Sequence, residues 1–385
     1  MIFADLHIHV GQSLDGRAVK ITASPQLNLP NIIETARDIK GLSMIGVIDA
    51  QSPGVIKDFE ILLNERKIRA LAGGGYEAGS LVIIPGTEIE LKIGDGEAHF
   101  LAYFSDIEHI GVYVEKLKPY VKNWQLSSQK AYVGFPQWLE AVEAAGGIWM
   151  PAHIFTPHKG IYGNCCARMQ DVMQVLPQAA EMGLSADRMM AGNIRELDNV
   201  LLFSNSDAHS LPKIGREYNA LVLSEKSFTG LKDLWQGKGQ LAGNYGLPPQ
   251  LGKYHRTYCL SCEQVVTEQP PQTSCPHCGS AQVIIGVLDR LEQISDNSET
   301  RDEWPQDGGT FYVYQASLKD LPGIGPKMYM KLLNELGTEI NILHEVPFNE
   351  IERLAGPKIA DWIKKDREGT LNFSQGGGGF YGKVF

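Results

Sequence analysis

The 385-residue chain lacks any long uninterrupted hydrophobic stretch, although hydrophobic residues make up 43% of it. A membrane-spanning helix needs about 18 to 20 such residues in a row, so the sequence offers no candidate span. Residues Met1–Asp5 show neither the basic start nor the apolar run of a secretory signal. We therefore expect a protein without a membrane partner and with a cytoplasmic location.

A surplus of basic residues is also missing: 45 Asp and Glu outnumber 35 Lys and Arg, which gives a formal net charge of −10. Broad electrostatic binding to nucleic acid usually depends on Lys and Arg, so this balance argues against it. Residues 281–310 hold seven acidic and two basic side chains, a net of −5, whereas residues 311–385 hold nine of each. Carboxylates that bind divalent cations also inflate the negative count. A nucleic acid would therefore have to be bound through local contacts.

Cysteine is scarce, and four of the six residues fall in two Cys-x-x-Cys pairs twelve residues apart, Cys259 with Cys262 and Cys275 with Cys278. Paired knuckles of this form place four thiolates around one structural zinc ion, so the cysteines indicate metal binding rather than a disulfide framework. A redox pair or a chance match is the alternative. The adjacent Cys165 and Cys166 cannot chelate in this way, and we expect them to pack in the interior.

Short apolar runs alternate with amphipathic segments in the first 247 residues, a pattern typical of parallel βα units in an α/β barrel or doubly wound sheet. The predicted strands are Phe3–His9, Ser43–Asp49, Leu81–Glu88, Ala98–Phe104, Gly147–Ile154 and Val200–Ser206. The predicted helices are Asn31–Lys40, Val55–Arg66, Phe135–Ala145 and Cys166–Met182. Gly243–Gly252, with Pro248 and Pro249, is a predicted linker.

The pattern divides the chain into four predicted parts. Residues 1–247 form a catalytic barrel, and residues 253–287 form the four-cysteine ribbon. Residues 288–310 form an acidic connector in which a helix precedes a flexible stretch. Residues 311–385 form a helical module with a glycine-rich tail.

Potential metal ligands stand at the ends of several predicted strands. In the first strand His7 and His9 point to the same side because side chains alternate. The remaining candidates are Glu88, His99, His153, Asp207 and His209. Ligands gathered from the same ends of several strands are typical of barrel enzymes, and imidazole with carboxylate suits Zn²⁺, Mn²⁺ or Fe. A lone histidine is more often a packing residue, the role we assign to His109, His255 and His344; His158 is a further loop candidate.

These residues resemble the motifs of the polymerase-and-histidinol-phosphatase (PHP) superfamily. The matching segments, in order, are Asp5–His9, Gly86–Glu88, His99, Ala152–His153 and Ser206–His209. The resemblance implies a distorted seven-stranded βα barrel with up to three metals. It implies that His7, His9, Glu88 and Asp207 hold one metal. It also implies that Glu88, His99 and His153 hold a second, with Glu88 bridging and with Glu88 and Asp207 serving catalysis.

The third metal departs from the family pattern. Where the family has Thr-Asp-His, this chain has Ile48-Asp49-Ala50, so a histidine is replaced by alanine. The segment from Ser13 to Gly16 resembles the Ser-Asp-Gly motif with one inserted residue. Asp15, Asp49 and His209 could thus form a carboxylate-rich third site. A turn before Gly16 is an equally good interpretation of Asp15.

The helical module begins with a glycine-rich segment that resembles a helix-hairpin-helix motif. In this motif Gly323 and Gly325 let backbone N–H groups at a helix start hold a DNA phosphate, and Lys327 could reinforce the contact. Gly356 and Lys358 could belong to a degenerate second copy. The alternative for both copies is a Gly-Pro turn between packed helices.

A PHP barrel, a ribbon and a helix-hairpin-helix tail in this order resemble the endonuclease Q family over the whole chain. The resemblance implies cleavage of damaged duplex or single-stranded DNA on the 5′ side of deaminated bases or abasic sites. It implies two or three divalent metals in the barrel, zinc, manganese or magnesium, besides the structural zinc. A phosphatase acting on a small phosphate ester and a non-catalytic DNA-binding protein with a decayed barrel are the alternatives.

A flipped lesion base would need a pocket, and two segments are candidates for it. The loop Phe155–Gly163 and the tail Gly376–Gly379, with Phe380 and Tyr381, combine glycines for close approach with aromatic rings for stacking. A disordered tail is the alternative for the second segment.

Overall fold

The computed structural model describes residues 1–296 and 310–385 of the chain. Its strands are β1 (Ile2–Ile8), β2 (Met44–Val47), β3 (Arg69–Ala70), β4 (Tyr76–Ala78), β5 (Leu81–Ile93), β6 (Gly96–Tyr103), β7 (Gln129–Lys130), β8 (Ile148–Pro151), β9 (Ala179–Glu181), β10 (Leu201–Phe203), β11 (Tyr218–Val222), β12 (Gln240–Gly246), β13 (Tyr258–Cys259), β14 (Gln264–Val265), β15 (Val283–Ile284) and β16 (Phe311–Tyr314). Its α-helices are α1 (Leu29–Glu34), α2 (Pro53–Asn64), α3 (Ile107–Leu117), α4 (Phe135–Ala144), α5 (Arg188–Ala191), α6 (Phe228–Trp235), α7 (Val287–Ile294), α8 (Pro326–Leu336), α9 (Glu339–His344), α10 (Phe348–Ala355) and α11 (Pro357–Arg367). The class is mixed α/β.

The main sheet brings the first strands together in the order β16-β12-β11-β1-β2-β5-β4-β3, with β6 joining β5 to β8. β1, β2 and β5 run parallel, whereas β6 pairs antiparallel with both β5 and β8. A separate parallel pair, β9 and β10, continues beyond β8, and Ile154 N donates to Glu181 O at 2.8 Å. The count of seven barrel strands remains a prediction.

The six predicted strands are confirmed as elements, but the expectation that they all run parallel is wrong. A tight turn at Gly94, whose φ is +52°, joins β5 to β6 directly as a long hairpin. No helix crosses between them, so the pair must be antiparallel. Nearly every residue of β5 is buried, and a fully buried strand loses the alternation that would have indicated its direction.

Three of the four predicted helices are confirmed. Asn31–Lys40 overlaps α1 and a π-helical turn at Thr35–Lys40, while α2 and α4 match the other two. Polar side chains begin several helices, for example Asp106, which accepts from His109 N at 2.9 Å before α3, and Ser227, which accepts from Gly230 N at 3.2 Å before α6.

The predicted helix Cys166–Met182 is wrong. Only a single 3-10 turn, Met169–Asp171, forms there, and the segment then enters β9. Pro177 lacks the N–H that a continuous helix requires. The carboxylate of Glu196 accepts from Met169 N at 2.8 Å and from Gln170 N at 3.3 Å, which fixes the loop instead. Met169 and Met173, which have helical spacing in the sequence, are therefore buried side chains of a loop and not of a helix.

The predicted linker Gly243–Gly252 is wrong in its first half, because Gly243–Gly246 is the end of β12. This strand pairs antiparallel with β11 and parallel with β16. Here glycine allows close packing: a Cβ at Gly243 would lie 2.3 Å from the Phe311 ring, and one at Gly246 would lie 2.2 Å from the Tyr312 hydroxyl. β16 thereby brings the start of the helical module onto the main sheet.

Three hydrophobic clusters hold the molecule together, two around the main sheet and one in the helical module. The third cluster includes Leu332, Ile342 and Ile363 from different helices. Part of the predicted acidic connector is the helix α7, and residues 297–309 of that prediction lie outside the described residues. The predicted domain limits remain predictions. In the described part of the chain, no helix has the length and apolar character to cross a membrane.

Candidate metal centre

His7 and His9 are buried at the end of β1 and face a common centre. Nδ1 of His7 lies 2.8 Å from Oε2 of Glu181, and Nδ1 of His9 lies 3.0 Å from Oδ2 of Asp49. A carboxylate that accepts from Nδ1 fixes the ring orientation and leaves Nε2 free as a ligand. Among the described residues, neither Nε2 atom has a hydrogen-bond partner, as expected of imidazoles arranged to bind a metal.

The first ligand group adds Glu88 and Asp207 to these histidines. His7 Nε2 is 3.6 Å from Glu88 Oε1 and 3.5 Å from Asp207 Oδ1. His9 Nε2 is 3.7 Å from Glu88 Oε2 and 3.4 Å from Asp207 Oδ1. Ligands about 2.1 Å from a tetrahedral ion are separated by roughly 3.4 Å. The four residues therefore fit one metal ion.

The second group places His99 and His153 on the other side of Glu88. Glu88 Oε1 is 2.9 Å from His99 Nδ1 and 3.6 Å from His153 Nε2. The hairpin of β5 and β6 sets this geometry, because it pairs Glu90 with His99 two residues beyond Glu88. Glu88 is shared by both groups, so the residues also fit the bridging role that the family resemblance implies.

Two of the ligands adopt left-handed backbone conformations that non-glycine residues rarely adopt. φ is +30° at His153 and +44° at Asp207. Such residues store on the order of 1 to 3 kcal/mol each and occur mostly at functional sites. His153 N donates to Glu181 Oε2 at 3.1 Å, and Ala208 N donates to His7 O at 3.2 Å. These bonds hold both strained residues in place.

A third group of potential ligands consists of His9, Asp207 and His209. The structure does not bring Asp15 or Asp49 into any ligand group among the described residues. Asp15 lies in a turn, where it accepts from Ser13 Oγ at 2.7 Å and pairs with Arg17 at 3.2 Å. Asp49 accepts from Val10 N at 2.8 Å besides contacting His9, so it positions a ligand.

Ala50, which stands where the family has a histidine, is buried and donates its N–H to Gly86 O at 3.0 Å. A methyl group therefore occupies that position. The first and second ligand groups, each of which fits one metal, do not need a histidine there.

Sequence reasoning missed Glu181, Lys20 and Ser128. Glu181 was assigned to the wrongly predicted helix, although a lone acid at the end of the apolar run Ala179–Ala180 is a signal that could have found it. Lys20 Nζ donates to Glu88 Oε2 at 3.2 Å, and Ser128, at φ +51°, also donates to this carboxylate. Both come from loops whose sequences carry no such signal.

The carboxylates of the cluster create a negative field, which acts on His7. Although burial favours neutral imidazole, Glu181, Asp207 and Glu88 raise the pKa of His7 to about 10. Burial opposes ionisation of Glu88, yet His99 and Lys20 lower the pKa of that carboxyl well below its usual range. Carboxylates that draw protons onto buried imidazoles attract divalent cations by the same field.

The four paired cysteines converge within the ribbon formed by β13, β14 and β15. Cys259 Sγ lies 3.8 Å from Cys278 Sγ, and Cys262 Sγ lies 3.8 Å from Cys275 Sγ. Four thiolates about 2.3 Å from a central zinc are separated by about 3.8 Å. The N–H of Cys262, donating to the Cys259 sulfur, lowers the pKa of that thiol to about 7. The group therefore fits one zinc ion.

Each of the two glycine-rich segments of the helical module contains a glycine with a positive φ near the start of a helix. Gly323 has φ +87° and Gly356 has φ +86°, so both need the left-handed region that glycine tolerates. Gly325 and Gly356 stand immediately before α8 and α11, with Lys327 and Lys358 exposed in the first turns. Both helix starts, each with a lysine in its first turn, therefore lie at the surface.

The other histidines and cysteines fall outside the ligand groups. His344 Nε2 contacts Tyr218 OH at 2.8 Å, His109 pairs with Asp106 at 2.7 Å, and His255 is buried. Burial raises the pKa of both Cys165 and Cys166 to about 12, as expected of packed thiols. His158 is also outside the ligand groups, but it lines the same cleft as the potential metal ligands.

That cleft has a volume of about 380 Å³ and connects the ligands to the segment before the ribbon. Its lining residues include Glu88, His99, His153, Asp207 and His209. Thr156, His158 and Lys159 from the loop Phe155–Gly163 line one side, and Lys253 and Tyr254 line another. The rings of His158 and Tyr254 meet edge to face, with centroids 5.2 Å apart. The space lies within the range of roughly 300 to 1,000 Å³ usual for ligand sites.

The glycine-rich tail is folded against the same region, not disordered. Gly379 N donates to Lys253 O at 2.9 Å and Gly376 N donates to Gln250 O at 2.7 Å. A Cβ at Gly378 would lie 2.4 Å from the Tyr258 ring, so glycine permits the close packing there. Phe380 is exposed.

A mixed α/β fold with groups of histidine and carboxylate side chains at its strand ends, joined to a four-cysteine ribbon and a helical module, is that of a metal-dependent hydrolase. No family model matches the chain. The uncharacterized protein YqxK of Bacillus subtilis is 39% identical over 389 residues, which cover 100% of this chain and 99% of that protein.

Two solved structures extend the comparison to the fold. The lesion-specific endonuclease PfuEndoQ from Pyrococcus furiosus is 29% identical, with a TM-score of 0.83, over 100% of this chain and 94% of that one. An endonuclease Q in complex with a 27-mer duplex substrate, with an abasic lesion at its active site, is 28% identical. Its TM-score is 0.82, over 100% of this chain and 96% of that one. The chain belongs to the endonuclease Q family.

Proposed function

We propose that this DNA repair endonuclease cuts the phosphodiester on the 5′ side of a deaminated base or an abasic site, leaving a 3′-hydroxyl and a 5′-phosphate. The observation that carries the proposal is the cleft, which the potential metal ligands line together with Lys253 and Tyr254. The two solved relatives support the proposal: one is named lesion-specific, and the other holds a duplex with an abasic lesion at its active site.

The ligand groups would hold two or three divalent metals, the third at His9, Asp207 and His209. Bound metals would activate a water and stabilise the leaving oxygen during displacement at phosphorus. Burial and the neighbouring His9 and Lys20 lower the pKa of His209 to about 4, so its ring stays neutral and free to bind. Asp207 and Glu88 are the residues that bring the groups together, and we assign them the catalytic roles.

Lys20 supports a phosphate at this site without being a metal ligand. Although burial opposes its charge, Glu88, Asp49 and Asp207 raise the pKa of its ammonium. Lys20 is therefore a fixed cation that lines the cleft beside the shared carboxylate. Its charge would orient a non-bridging phosphate oxygen toward the ligand groups.

Selectivity would arise in the upper part of the cleft, where a flipped nucleotide can enter. Gly183 lines this part, and a Cβ there would lie 3.0 Å from the His153 side chain. Uracil and hypoxanthine carry a carbonyl where cytosine and adenine carry an amine, so a backbone N–H aimed at this position favours the lesion. An unpaired or clashing buried group costs about 1 to 3 kcal/mol. The easier flipping of a mismatched base adds a few kcal/mol.

The helical module would hold the duplex at a distance from the cut. Phosphate contacts at the turns before α8 and α11 use backbone N–H groups, with Lys327 and Lys358 beside them. A chain with a net charge of −10 can bind DNA in this way, because each contact is local. The cytoplasmic location also stays a prediction.

The test uses end-labelled duplexes that are identical except for one nucleotide: uracil, hypoxanthine, xanthine, an abasic site or cytosine. Each is incubated with Mg²⁺, Mn²⁺ or Zn²⁺, and product length and end chemistry are determined on a sequencing gel. We expect cutting immediately 5′ of the lesion and little cutting of the cytosine duplex. Equal cutting of all duplexes, or cutting on the 3′ side, contradicts the proposal. Hydrolysis of a small phosphate ester alone would favour the phosphatase alternative.

A further inference from the structure

A second pocket, separate from the metal cleft, lies where three parts of the chain meet. Its volume is about 490 Å³. One wall is the loop Ser210–Arg216 that follows His209, another is Ser317–Asp320 at the start of the helical module, and the third is Tyr381–Val384. We call it the Arg216 pocket.

Arg216 is the buried charge of this pocket, with only 7% of its surface exposed. Its Nε donates to Ser206 O at 2.9 Å and its Nη1 donates to Tyr381 OH at 2.9 Å. Among the described residues no carboxylate lies within 4.0 Å of it. Glu217 and Asp320 interact with Arg216 only from a longer distance. A buried guanidinium that no carboxylate pairs directly is unfavourable, and its planar fork matches phosphate oxygens.

Further cations surround the same space. Lys213, Lys319 and Lys383 line the pocket with Arg216, and Asp320 is the one carboxylate among the described lining residues, which leaves a net charge of +3. Lys213 Nζ and the Arg216 guanidinium lie 5.4 Å and 5.5 Å from the centre of the Tyr381 ring. This local excess contrasts with the negative charge of the whole chain, and it makes the pocket electrostatically favourable for an anion.

The segments that flank the Arg216 pocket indicate which anion it could bind. Ser206, the acceptor of the Arg216 bond, immediately precedes the metal ligand Asp207. The opposite wall, Ser317–Asp320, leads directly into the turn that contains Gly323 and Gly325. Short backbone segments therefore connect the Arg216 pocket to a metal ligand on one side and to the hairpin turn on the other, so a DNA strand bound at both would come close to it.

The geometry points to the Arg216 pocket as a binding site for a backbone phosphate of the substrate DNA, next to the phosphate that is cut. This inference rests on the proposed function. A phosphodiester within the strand and a terminal 5′-phosphate present the same anionic oxygens, and the experiment separates these two sources.

The experiment compares Lys213→Ala, Lys383→Ala and the double variant with Lys116→Ala. Lys116 is exposed on α3 and does not line the pocket, so it is the matched control for loss of one charge. Single-turnover cleavage of a lesion duplex is measured over a range of enzyme and salt concentrations. The half-saturating enzyme concentration should rise about three- to tenfold per substitution. The slope of the logarithm of this concentration against log salt should become shallower by about 1, the contribution of one phosphate contact.

Neutral methylphosphonates placed one at a time along the duplex then locate the phosphate. In the wild type, one position should raise the half-saturating concentration, and the same replacement should have no further effect in the double variant. If duplexes with and without a terminal 5′-phosphate differ instead, the pocket binds a strand end. Arg216→Lys keeps the charge and should bind more tightly than Arg216→Gln, which guards against a simple folding defect.

Unchanged half-saturation and salt dependence in the double variant would overturn the proposal, as would an equal effect in Lys116→Ala. If no lesion duplex is cut at all, the proposed function fails. The pocket is then tested on its own by fluorescence anisotropy of the same duplexes, where the loss of affinity in the double variant must still be present.

Discussion

The shared carboxylate and its neighbours determine what the metal centre can do. Glu88 contacts His7, His9, His99 and His153 between 2.9 and 3.7 Å. Asp207 closes the first group from a strained backbone conformation. An acid that faces two imidazoles and a third potential ligand, His209, concentrates the negative charge needed to bind cations.

Asp207→Asn should therefore reduce cleavage by several orders of magnitude while most of the DNA affinity survives. The amide keeps the shape of the side chain but removes the charge on which both His7 and His9 converge. Single-turnover rates measure the first effect, and fluorescence anisotropy with a lesion duplex measures the second. Asp95→Asn, at an exposed position, is the control. Wild-type turnover of Asp207→Asn in metal-replete buffer would contradict the assignment.

Glu181 is the residue whose role the structure adds to the sequence pattern. Its Oε2 lies 2.8 Å from His7 Nδ1 and accepts from His153 N at 3.1 Å. Glu181 therefore contacts one residue of the first ligand group and one of the second. Glu181→Gln keeps a hydrogen-bonding side chain but removes the negative charge beside His7. Loss of such an outer carboxylate lowers metal affinity or activity by about 10- to 100-fold.

Metal titration followed by activity, together with direct metal analysis, tests this prediction. The activation curve of Glu181→Gln should shift to higher metal concentration, and excess metal should restore part of the rate. A purely structural role would instead lower the melting temperature without moving the curve. Glu196→Gln, at a residue that fixes the Met169 loop, serves as the control for that outcome.

At the scale of elements, strand ends could be predicted and loops could not. The ligands His7, Glu88 and Asp207 stand in or beside apolar runs, which a sequence pattern records. Lys20 and Ser128 reach Glu88 from loops that are far apart in the chain. Their positions depend on how loops fold over the sheet, and no short-range periodicity encodes that.

Substitutions at two glycines of the helical module allow backbone strain and DNA contact to be tested separately. Gly356 has φ +86° and ψ 165°, a conformation that is essentially restricted to glycine, so Gly356→Ala should destabilise the module by about 1 to 3 kcal/mol although its Cβ meets no atom within 4 Å. Gly325 has φ −76° and equal space. Gly325→Ala should leave stability nearly unchanged and weaken DNA affinity by covering the N–H groups at the start of α8. Denaturant melts and anisotropy measure the two effects; if Gly325→Ala binds normally, the turn only connects helices.

Asp366 on α11 links the stability of the helical module to pH. It is buried, accepts from Ala316 N at 2.7 Å, and burial raises its pKa to about 7 from an ordinary 3.8. The folded state therefore binds this proton more tightly than the unfolded chain. The stabilisation is complete below pH 4 and is lost as pH rises through about 7.

Asp366→Asn should remove this dependence while keeping an oxygen that can accept from Ala316 N. Wild type and variant should be similarly stable at low pH, and the variant should be more stable above pH 7, by about 4 kcal/mol at most. Urea unfolding across this pH range measures the difference. A difference that stays constant with pH would mean that Asp366 does not take up the proton on folding.

At the scale of the whole molecule, the order of the parts was predictable and their joining was not. The two cysteine pairs and the glycine turns indicated the ribbon and the helical module because their spacing is local. The contact of β16 with β12 and of the tail with residues 250–258 depends on long-range pairing. The Arg216 pocket arises only from that joining, since its three walls are distant in sequence.

The net charge of −10 predicts how the whole protein responds to salt. Repulsion between the acidic surface and DNA leaves binding to a few cations near the proposed path. Those that we assign to phosphates are Lys20, Lys213, Arg216, Lys327, Lys358 and Lys383. Each phosphate contact contributes about −0.9 to the slope of log affinity against log salt, so six contacts give at most about −5. A protein with an extended basic surface reaches about −10.

Affinity for a lesion duplex, measured by anisotropy from about 50 to 300 mM salt, gives the slope directly. We expect a value between roughly −3 and −5, because the backbone N–H contacts at the hairpins release few extra counterions. Replacing both Lys327 and Lys358 by alanine should make it shallower by about 2, while the exposed Lys116→Ala leaves it unchanged. A slope of about −8 or steeper would mean that DNA contacts many more cations than the path contains. Recognition would then depend on a broad surface, and the local-contact explanation of binding by an acidic chain would be wrong.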